Sequence, residues 1–273
     1  ISILGAVCLL GSLTASAQFT QTAKVVSQDR EGRAEYGTSV DIKDNFAIVG
    51  ASRENIAAGA AYIYKKDSEG TWSDAQKLTA FDAFEMAEFG GASKFGEDYL
   101  VVASGRGDVD GVVRAGALYV YNFNAGDDTW DFDVKLHASD HSGDAKLGMN
   151  PTSLDVEGNI ILGGAPGDLG WTGAAYIFEK DAGVWTEKQK LTSPSPIGGE
   201  AYGIGVSISG ETMAIGANET DNRKGSVYLY EKNTSGVWEY TQQVMASDAT
   251  SESFFGSSVS LHGDQLIVGA YGT

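Results

Sequence analysis

The stretch Arg106-Gly107-Asp108-Val109-Asp110-Gly111 places a guanidinium group and two carboxylates in one glycine-rich loop. An Arg-Gly-Asp tip on an exposed loop would predict an adhesive contact with a partner protein. Asp108 and Asp110 would also supply two of the six to eight oxygen ligands that calcium takes. A surface insertion without its own function explains the same residues, because loops tolerate extra residues at small entropic cost. These three interpretations stay open at this point.

A second candidate is Trp171, in the loop Gly167-Asp168-Leu169-Gly170-Trp171. An aromatic side chain on an exposed loop can stack on a sugar or anchor a partner. The alternative is a local plug that folds down over the core. With the first loop, this gives five predicted ligand-binding residues: Arg106, Asp108, Asp110, Asp168 and Trp171.

The other residues that could do chemistry form no catalytic constellation. His137 and His141 are four residues apart, but their segment is typical of a strand end and loop, and metal ligation needs more convergent groups. No Ser-His-Asp arrangement, P-loop or Rossmann glycine pattern occurs at a strand–turn–helix junction. Carboxylate pairs at a glycosidase distance are expected by chance among 37 Asp and Glu residues. We therefore predict no catalytic residue, no metal site and no enzymatic activity.

The net charge of the chain limits the class of partner that it is expected to bind. The chain has 273 residues, 19 Lys and Arg against 37 Asp and Glu, and a formal charge of −18. Such a surface repels phosphate backbones, so nucleic-acid binding is disfavoured. Acidic residues in the predicted loops, such as Asp82, Asp140 and Asp248, are explained by a solvated rim that keeps the protein soluble.

Residues 1–17 differ from the rest of the chain. Ile1 to Leu13 is an uncharged apolar run, and Ala15-Ser16-Ala17 is typical of a secretory cleavage site. About 13 apolar residues are too few to cross a bilayer, which takes roughly 20. The segment therefore predicts an N-terminally truncated signal peptide, a secreted or cell-surface protein, and no membrane span in the mature chain. The single cysteine, Cys8, lies in this segment, so the mature chain would have no disulfide.

The elements that would position these loops repeat along the chain. An aromatic residue or leucine followed by glycine recurs at intervals of 53, 58, 55 and 53 residues, as Tyr36-Gly37, Phe89-Gly90, Leu147-Gly148, Tyr202-Gly203 and Phe255-Gly256. Each interval holds a further apolar run, a tyrosine-rich run and a lone tryptophan: Trp72, Trp130, Trp185 and Trp238. A period of this length indicates supersecondary units that bury their apolar faces on one another.

Each repeat is typical of four strands and no helix. The second strand, such as Phe46 to Ala51, is continuously apolar, which predicts sheets buried on both faces. Sheets of this kind strung in series pack radially as a β-propeller; a β-solenoid is the rival, but its rungs need fewer residues. The sequence thus predicts an all-β propeller over 18–273, with blades at about 36–79, 89–137, 147–192 and 202–246. Partial blades at 22–27 and 255–271 predict a fragment.

These motifs resemble the FG-GAP repeat family, which is named for a Phe-Gly doublet followed by Gly-Ala-Pro. Phe89-Gly90 and Phe255-Gly256 match the doublet, and Gly164-Ala165-Pro166 matches the second motif in full. The resemblance is to secreted bacterial members and, more distantly, to integrin alpha-subunit propellers, and it implies about seven blades with ligands on one loop-bearing face. The family's calcium cage, Asp-x-Asp-x-Asp-Gly, is absent from hairpins such as Asp41-Ile42-Lys43-Asp44-Asn45. We expect no cofactor here, while calcium in a longer protein stays open.

The expected function is non-enzymatic binding or adhesion to an extracellular protein or glycan through loops on one face. The alternative is an accessory module of a larger exported enzyme, a hydrolase or lyase, whose catalytic domain lies outside this sequence. A third possibility is an enzyme that uses the central pocket of the propeller itself.

Overall fold

The computed structural model describes residues 21, 23–27, 29 and 32–272. The predicted signal peptide and Cys8 lie outside the described residues. Within them the protein consists of four antiparallel sheets of four strands and one of two strands. Each sheet is a meander in which neighbouring strands are consecutive in the chain. Short hairpins join the first strand to the second and the third to the fourth, and longer loops make the other connections.

The strands have the following bounds. In the first two sheets they are β1 (Tyr36–Lys43), β2 (Phe46–Ala51), β3 (Ala60–Lys66), β4 (Trp72–Leu78), β5 (Phe89–Phe95), β6 (Tyr99–Ser104), β7 (Ala117–Asn124) and β8 (Thr129–Leu136). In the other three they are β9 (Leu154–Glu157), β10 (Ile160–Ala165), β11 (Ala174–Asp181), β12 (Val184–Leu191), β13 (Tyr202–Ser209), β14 (Thr212–Ala217), β15 (Ser226–Lys232), β16 (Trp238–Val244), β17 (Ser258–His262) and β18 (Gln265–Gly269). We call the four complete sheets blades 1 to 4.

Successive blades pack face to face, with their first strands in contact. One apolar cluster joins Ile63 and Leu78 of blade 1 to Phe89 and Leu100 of blade 2, and all four side chains are buried. The predicted four-stranded blades, buried on both faces, are therefore confirmed. The aromatic residue of the doublet fills the space between two blades, and its burial stabilises the junction by roughly 2 kcal/mol.

Glycine is required where blade backbones meet. A Cβ added at Gly164 of blade 3 would lie 1.9 Å from the carbonyl oxygen of Gly203, the doublet glycine of blade 4. A Cβ at Gly203 would in turn lie 2.3 Å from the carbonyl oxygen of Ala174. No side chain fits within these distances. The close approach of neighbouring blade backbones therefore explains why glycine occupies these positions of the doublet and of the Gly-Ala-Pro motif.

Glutamine clamps add polar links between outer strands. In blade 1, Gln76 donates through Nε2 to the Trp130 carbonyl at 2.9 Å and accepts from the Trp130 amide at 2.8 Å. Gln189 makes the same pair of bonds with Trp238, at 2.8 and 2.9 Å. Trp130 and Trp238 are therefore held by their backbones as well as by their rings.

The structure differs from the sequence-based expectation in two places. Three loops between second and third strands contain four-residue helical turns, α1 (Glu54–Ala57), α2 (Asp168–Trp171) and α3 (Thr220–Arg223), where no helix is predicted; a further 3-10 turn covers Pro151–Ser153. The predicted lone strand at 22–27 has no β-pairing at residues 23–27, since no third strand lies beside it in the described part of the chain. Val25 nevertheless packs against the core of blade 1, as a fourth-strand residue would.

Candidate functional site

The loops between second and third strands and those between blades emerge on the same face, which we call the loop face. In α2, Leu169, Gly170 and Trp171 have φ values of 47°, 69° and 70°, so the turn is left-handed. A left-handed turn costs about 1–2 kcal/mol per non-glycine residue, so other contacts must hold it. The turns α1 and α3 share this handedness at Asn55 to Ala57 and at Asp221 to Arg223.

Backbone hydrogen bonds to the next blade offset this cost. The Trp171 carbonyl accepts from the Ala201 amide at 2.9 Å, and the Thr172 carbonyl accepts from the Tyr202 amide at 3.2 Å. The turn closes on itself where the Gly173 amide donates to the Asp168 carbonyl at 2.9 Å. Trp171 is therefore held by its backbone in a fixed loop.

The Trp171 side chain is 38% exposed. Beneath it the Lys146 ammonium lies 4.4 Å from the ring centroid, a cation–π contact. Burial lowers the pKa of Lys146; Asp144 opposes that shift, while the charges of Arg106 and Arg114 add to it. Sequence reasoning singled out Trp171 and Arg106 but missed Lys146, which joins them.

The Arg-Gly-Asp string lies against the loop before blade 2. The Arg106 amide donates to the Ala87 carbonyl at 3.2 Å, and its Nε lies 3.2 Å from Glu88 Oε2. Asp108 accepts from the Arg114 amide at 2.8 Å through Oδ1, and its carbonyl accepts from Lys135 at 3.0 Å. Arg106 and Asp108 are half-buried, so they do not form a projecting tip.

The extra residues of this loop form a tight turn. Val109 and Val112 exchange backbone hydrogen bonds of 3.1 and 2.8 Å around Asp110 and Gly111, both with positive φ. Val109 is buried in the core between blades 1 and 2, and Asp110 is exposed at the tip. The insertion is thus an anchored hairpin, with Asp110 as its accessible carboxylate.

Asp168 is 1% exposed and has only internal partners among the described residues. Its carboxylate accepts from Ser142 Oγ at 2.6 Å, from the Tyr176 hydroxyl at 3.2 Å and from Lys190 Nζ at 2.7 Å. Lys190 also contacts Asp140 at 2.7 Å. These bonds assign Asp168 to a polar cluster beneath the loop face, while Leu169 and Trp171 are the exposed large side chains of the same turn.

This polar cluster recurs in blades 1 to 3 and was missed by sequence reasoning. In each, a third-strand tyrosine and a fourth-strand lysine meet an aspartate from the loop before the blade: Tyr62, Lys77 and Asp29; Tyr119, Lys135 and Asp82; Tyr176, Lys190 and Asp140. Its signal was present in the sequence. The lysine always precedes the apolar residue that ends the fourth strand, and the aspartate follows the preceding apolar residue by four positions.

The cluster in blade 3 is not poised for proton transfer. Burial and the hydrogen bond to Asp140 raise the pKa of Tyr176, so its hydroxyl stays neutral. Burial alone would lower the pKa of Lys190, but hydrogen bonds to Asp140 and Asp168 raise it. Burial would likewise raise the pKa of Asp140, but the hydrogen bonds from Lys190 and Tyr176 lower it. These shifts move each group away from neutral pH, whereas a general acid or base needs a pKa near it.

The loop face therefore carries a different set of residues. We define the loop-face patch as Arg106, Arg114, Lys146 and Trp171: one exposed aromatic ring, two partly exposed guanidinium groups and the buried Lys146 ammonium beneath the ring, on a strongly acidic protein. Asp144 lies 3.1 Å from Arg114 and neutralises part of this charge. In the chain from residue 32 to 272, no three acidic, histidine or cysteine side chains converge as metal ligands. No helix in that range is both apolar enough and long enough to cross a membrane.

Comparison with known families agrees with this architecture. A family model for the FG-GAP repeat matches residues 19–64, 185–230 and 238–273. The chain contains FG-GAP repeats. The resemblance predicted from the doublets is confirmed, and the matched regions include β1, β2 and most of β3 of blade 1 as well as the last two strands. None of the curated proteins compared with this chain matches it.

Solved structures share the fold of this chain at low sequence identity. A proposed 6-phosphogluconolactonase from Bacteroides uniformis aligns with a TM-score of 0.53 and 10% identity, over 76% of this chain and 56% of that one. A protein from Lactobacillus plantarum aligns with a TM-score of 0.52 and 14% identity, over 77% of this chain and 55% of that one. The chain thus spans a little over half of each. At these identities the likeness concerns the fold alone.

Proposed function

We propose that this protein is a secreted or cell-surface binding module, without enzymatic activity, that recognises a protein or glycan through the loop-face patch. The observation that carries the proposal is the exposed ring of Trp171 on a backbone fixed by the next blade. A tryptophan held in place loses little conformational entropy when a partner covers it. Tryptophan is also among the residues that contribute most to binding interfaces.

The surroundings of Trp171 support a ligand with both a flat apolar face and acidic groups. Sugar rings and aromatic side chains can stack on the indole, whose other contact is the Lys146 ammonium. Arg106 and Arg114 can meet carboxylate or sulfate groups, because guanidinium forms paired hydrogen bonds with planar anions. Their present partners, Glu88 and Asp144, are side chains that an acidic ligand can displace.

Two observations support a binding role over catalysis. The buried carboxylate of Asp168 and its lysine partner satisfy one another, and burial with hydrogen bonding keeps the Tyr176 hydroxyl neutral. The same cluster recurs in three blades, as a structural device of the repeat would.

The test is binding of the full chain to an array of neutral, uronic-acid-containing and sulfated glycans, together with immobilised extracellular-matrix proteins. We expect a retained ligand for the wild-type protein, and a loss of about 2 kcal/mol or more of binding free energy for Trp171→Ala. The matched control is Tyr240→Ala, which removes another exposed aromatic ring from the outer strand β16. Equal binding by wild type and Trp171→Ala would exclude the patch as the recognition site.

A further inference from the structure

A cavity of about 350 Å³ lies between blades 1 and 2, at the end of the blades opposite the loop face. Its walls are aromatic: Phe46 and Phe123 are half-buried, and Phe95 and Trp130 are 8% and 7% exposed. The Phe46 and Phe123 ring centroids each lie within 5.6 Å of the Trp130 centroid. This volume is at the lower end of the range for small-molecule sites, about 300–1,000 Å³.

Blade 2 differs from its sister blades at one wall of this cavity. In blades 1, 3 and 4 the residue paired across the sheet with the tryptophan is a lysine, whose ammonium lies 5.7 to 5.9 Å from the indole centroid. The three pairs are Lys66 with Trp72, Lys180 with Trp185, and Lys232 with Trp238. In blade 2 the same register position holds Phe123 opposite Trp130. Three blades thus supply their own cation to this tryptophan, and blade 2 does not.

The rim of the cavity carries the opposite charge. Asp44, Glu97 and Asp98 are exposed and line it. Among the described residues that line the cavity, the one cation is Lys43, whose ammonium donates to the Gly96 and Glu97 carbonyls. Lys65 lies outside the lining, with its ammonium 5.6 Å from the Phe46 ring centroid and paired with Asp128. Three carboxylates against one lysine leave the lining with a formal charge of −2, in addition to the acidity of the whole chain.

We propose that this cavity binds a small organic cation with alkylated nitrogen, of the quaternary ammonium class. The bound cation occupies the position beside the indole that a lysine ammonium has in the other three blades. The aromatic rings surround its apolar substituents, and the carboxylates of the rim offset its charge. Aromatic walls recognise such cations because the negative face of each ring attracts a poorly hydrated positive charge. A neutral apolar ligand would use the walls but gain nothing from Asp44, Glu97 and Asp98.

The indole Nε1 of Trp130 is buried and has no acceptor in the described part of the chain. Trp185 shares this feature, although its ring is covered by Tyr99 at 4.9 Å. The feature specific to blade 2 is therefore the missing lysine beside an open cavity.

The experiment is calorimetric titration of the full chain with choline and with its neutral isostere, in which a tert-butyl group replaces the trimethylammonium group. We expect choline to bind in the millimolar range and the isostere to bind about tenfold more weakly or not at all. Absence of choline binding, or equal binding of the two compounds, would overturn the proposal.

The decisive variant is Phe123→Lys, which installs the cation found in the other blades. It should fold normally, because three sister blades hold lysine at this position, and it should weaken choline binding at least about tenfold. The control is Phe132→Lys, the same change at an exposed phenylalanine of β8 outside the cavity lining. Asp98→Asn should weaken binding without changing the fold. Unchanged choline binding by Phe123→Lys would also overturn the proposal, whatever the loop-face patch binds.

Discussion

Blades 3 and 4 place different side chains beneath the loop that joins their second and third strands. In blade 3, Asp168 accepts hydrogen bonds from Tyr176 and Lys190 beneath the turn. In blade 4, Thr220 takes the position of Asp168, and its hydroxyl donates to the Ala217 carbonyl at 2.9 Å.

Blade 4 also lacks the lysine–aspartate pair, although burial and the buried carboxylate of Glu200 together raise the pKa of Tyr228. Gln243 replaces the lysine and donates to the Tyr228 hydroxyl at 3.4 Å, while Ser193 lies 3.5 Å from that hydroxyl. Both turns are nevertheless left-handed and close in the same way, through Gly173 and Gly225. A lysine–aspartate pair is therefore not needed to form the turn. The charged cluster of blade 3 has a structural role that neutral side chains take over at the same positions in blade 4.

The largest expected effect comes from removing one partner of the charged cluster. Asp168→Ala leaves Lys190 facing a buried space with only Asp140 to pair it, and we expect a loss of about 2–4 kcal/mol in the free energy of unfolding. The matched change in blade 4, Thr220→Ala, removes one neutral hydrogen bond and should cost about 1 kcal/mol. Urea denaturation of both variants measures the difference. Equal losses would contradict the distinction between the two blades.

A smaller effect is expected when blade 3 is converted to the chemistry of blade 4. The double variant Asp168→Thr/Lys190→Gln removes both charges, while the Tyr176 hydroxyl can still donate to Asp140. Its free energy of unfolding should lie within about 1 kcal/mol of the wild type, because a buried ion pair can be replaced as a unit at little cost. A loss as large as that of Asp168→Ala would show that the charges themselves are needed. The double-mutant cycle requires Lys190→Gln alone as well.

The smallest expected effect is the pH dependence of stability that comes from the ion pair between Asp140 and Lys190. The folded-state pKa of Asp140 is lowered below its ordinary value of 3.8. Its stabilising contribution is therefore fully present above pH 3.8 and is lost as the pH falls through the lower folded value. We expect the Tm of the wild type to fall on acidification slightly more than that of a variant carrying Asp140→Asn. Parallel thermal melts from neutral to acidic pH check this, and a smaller fall in the wild type would contradict it.

Much of the fold could be predicted because the repeat constrains it many times over. The doublet glycines and the spacing of Trp185 and Trp238 each indicate the same four-stranded blade. The close approach at Gly164 also follows from sequence, since a glycine that recurs at one position needs a backbone reason.

The candidate sites were less predictable because they depend on contacts between blades. The turn at Leu169 and Gly170 shares no residue pattern with that at Asp221 and Asn222, so the next blade sets its handedness. The pairing of Arg106 with Glu88 likewise needs two loops brought side by side. Phe123 could have been found by aligning the repeats, but its meaning depends on the cavity that it lines.

The conformation of the left-handed turns depends on the blade that follows each of them. Part of their cost is offset by amides such as those of Ala201 and Tyr202, which belong to the connection into the following blade and to its first strand. A synthetic peptide covering 166–173, or blade 3 excised by itself, would lack these donors and relax to other conformations. The position of the Trp171 ring is thus a collective property of two adjacent blades.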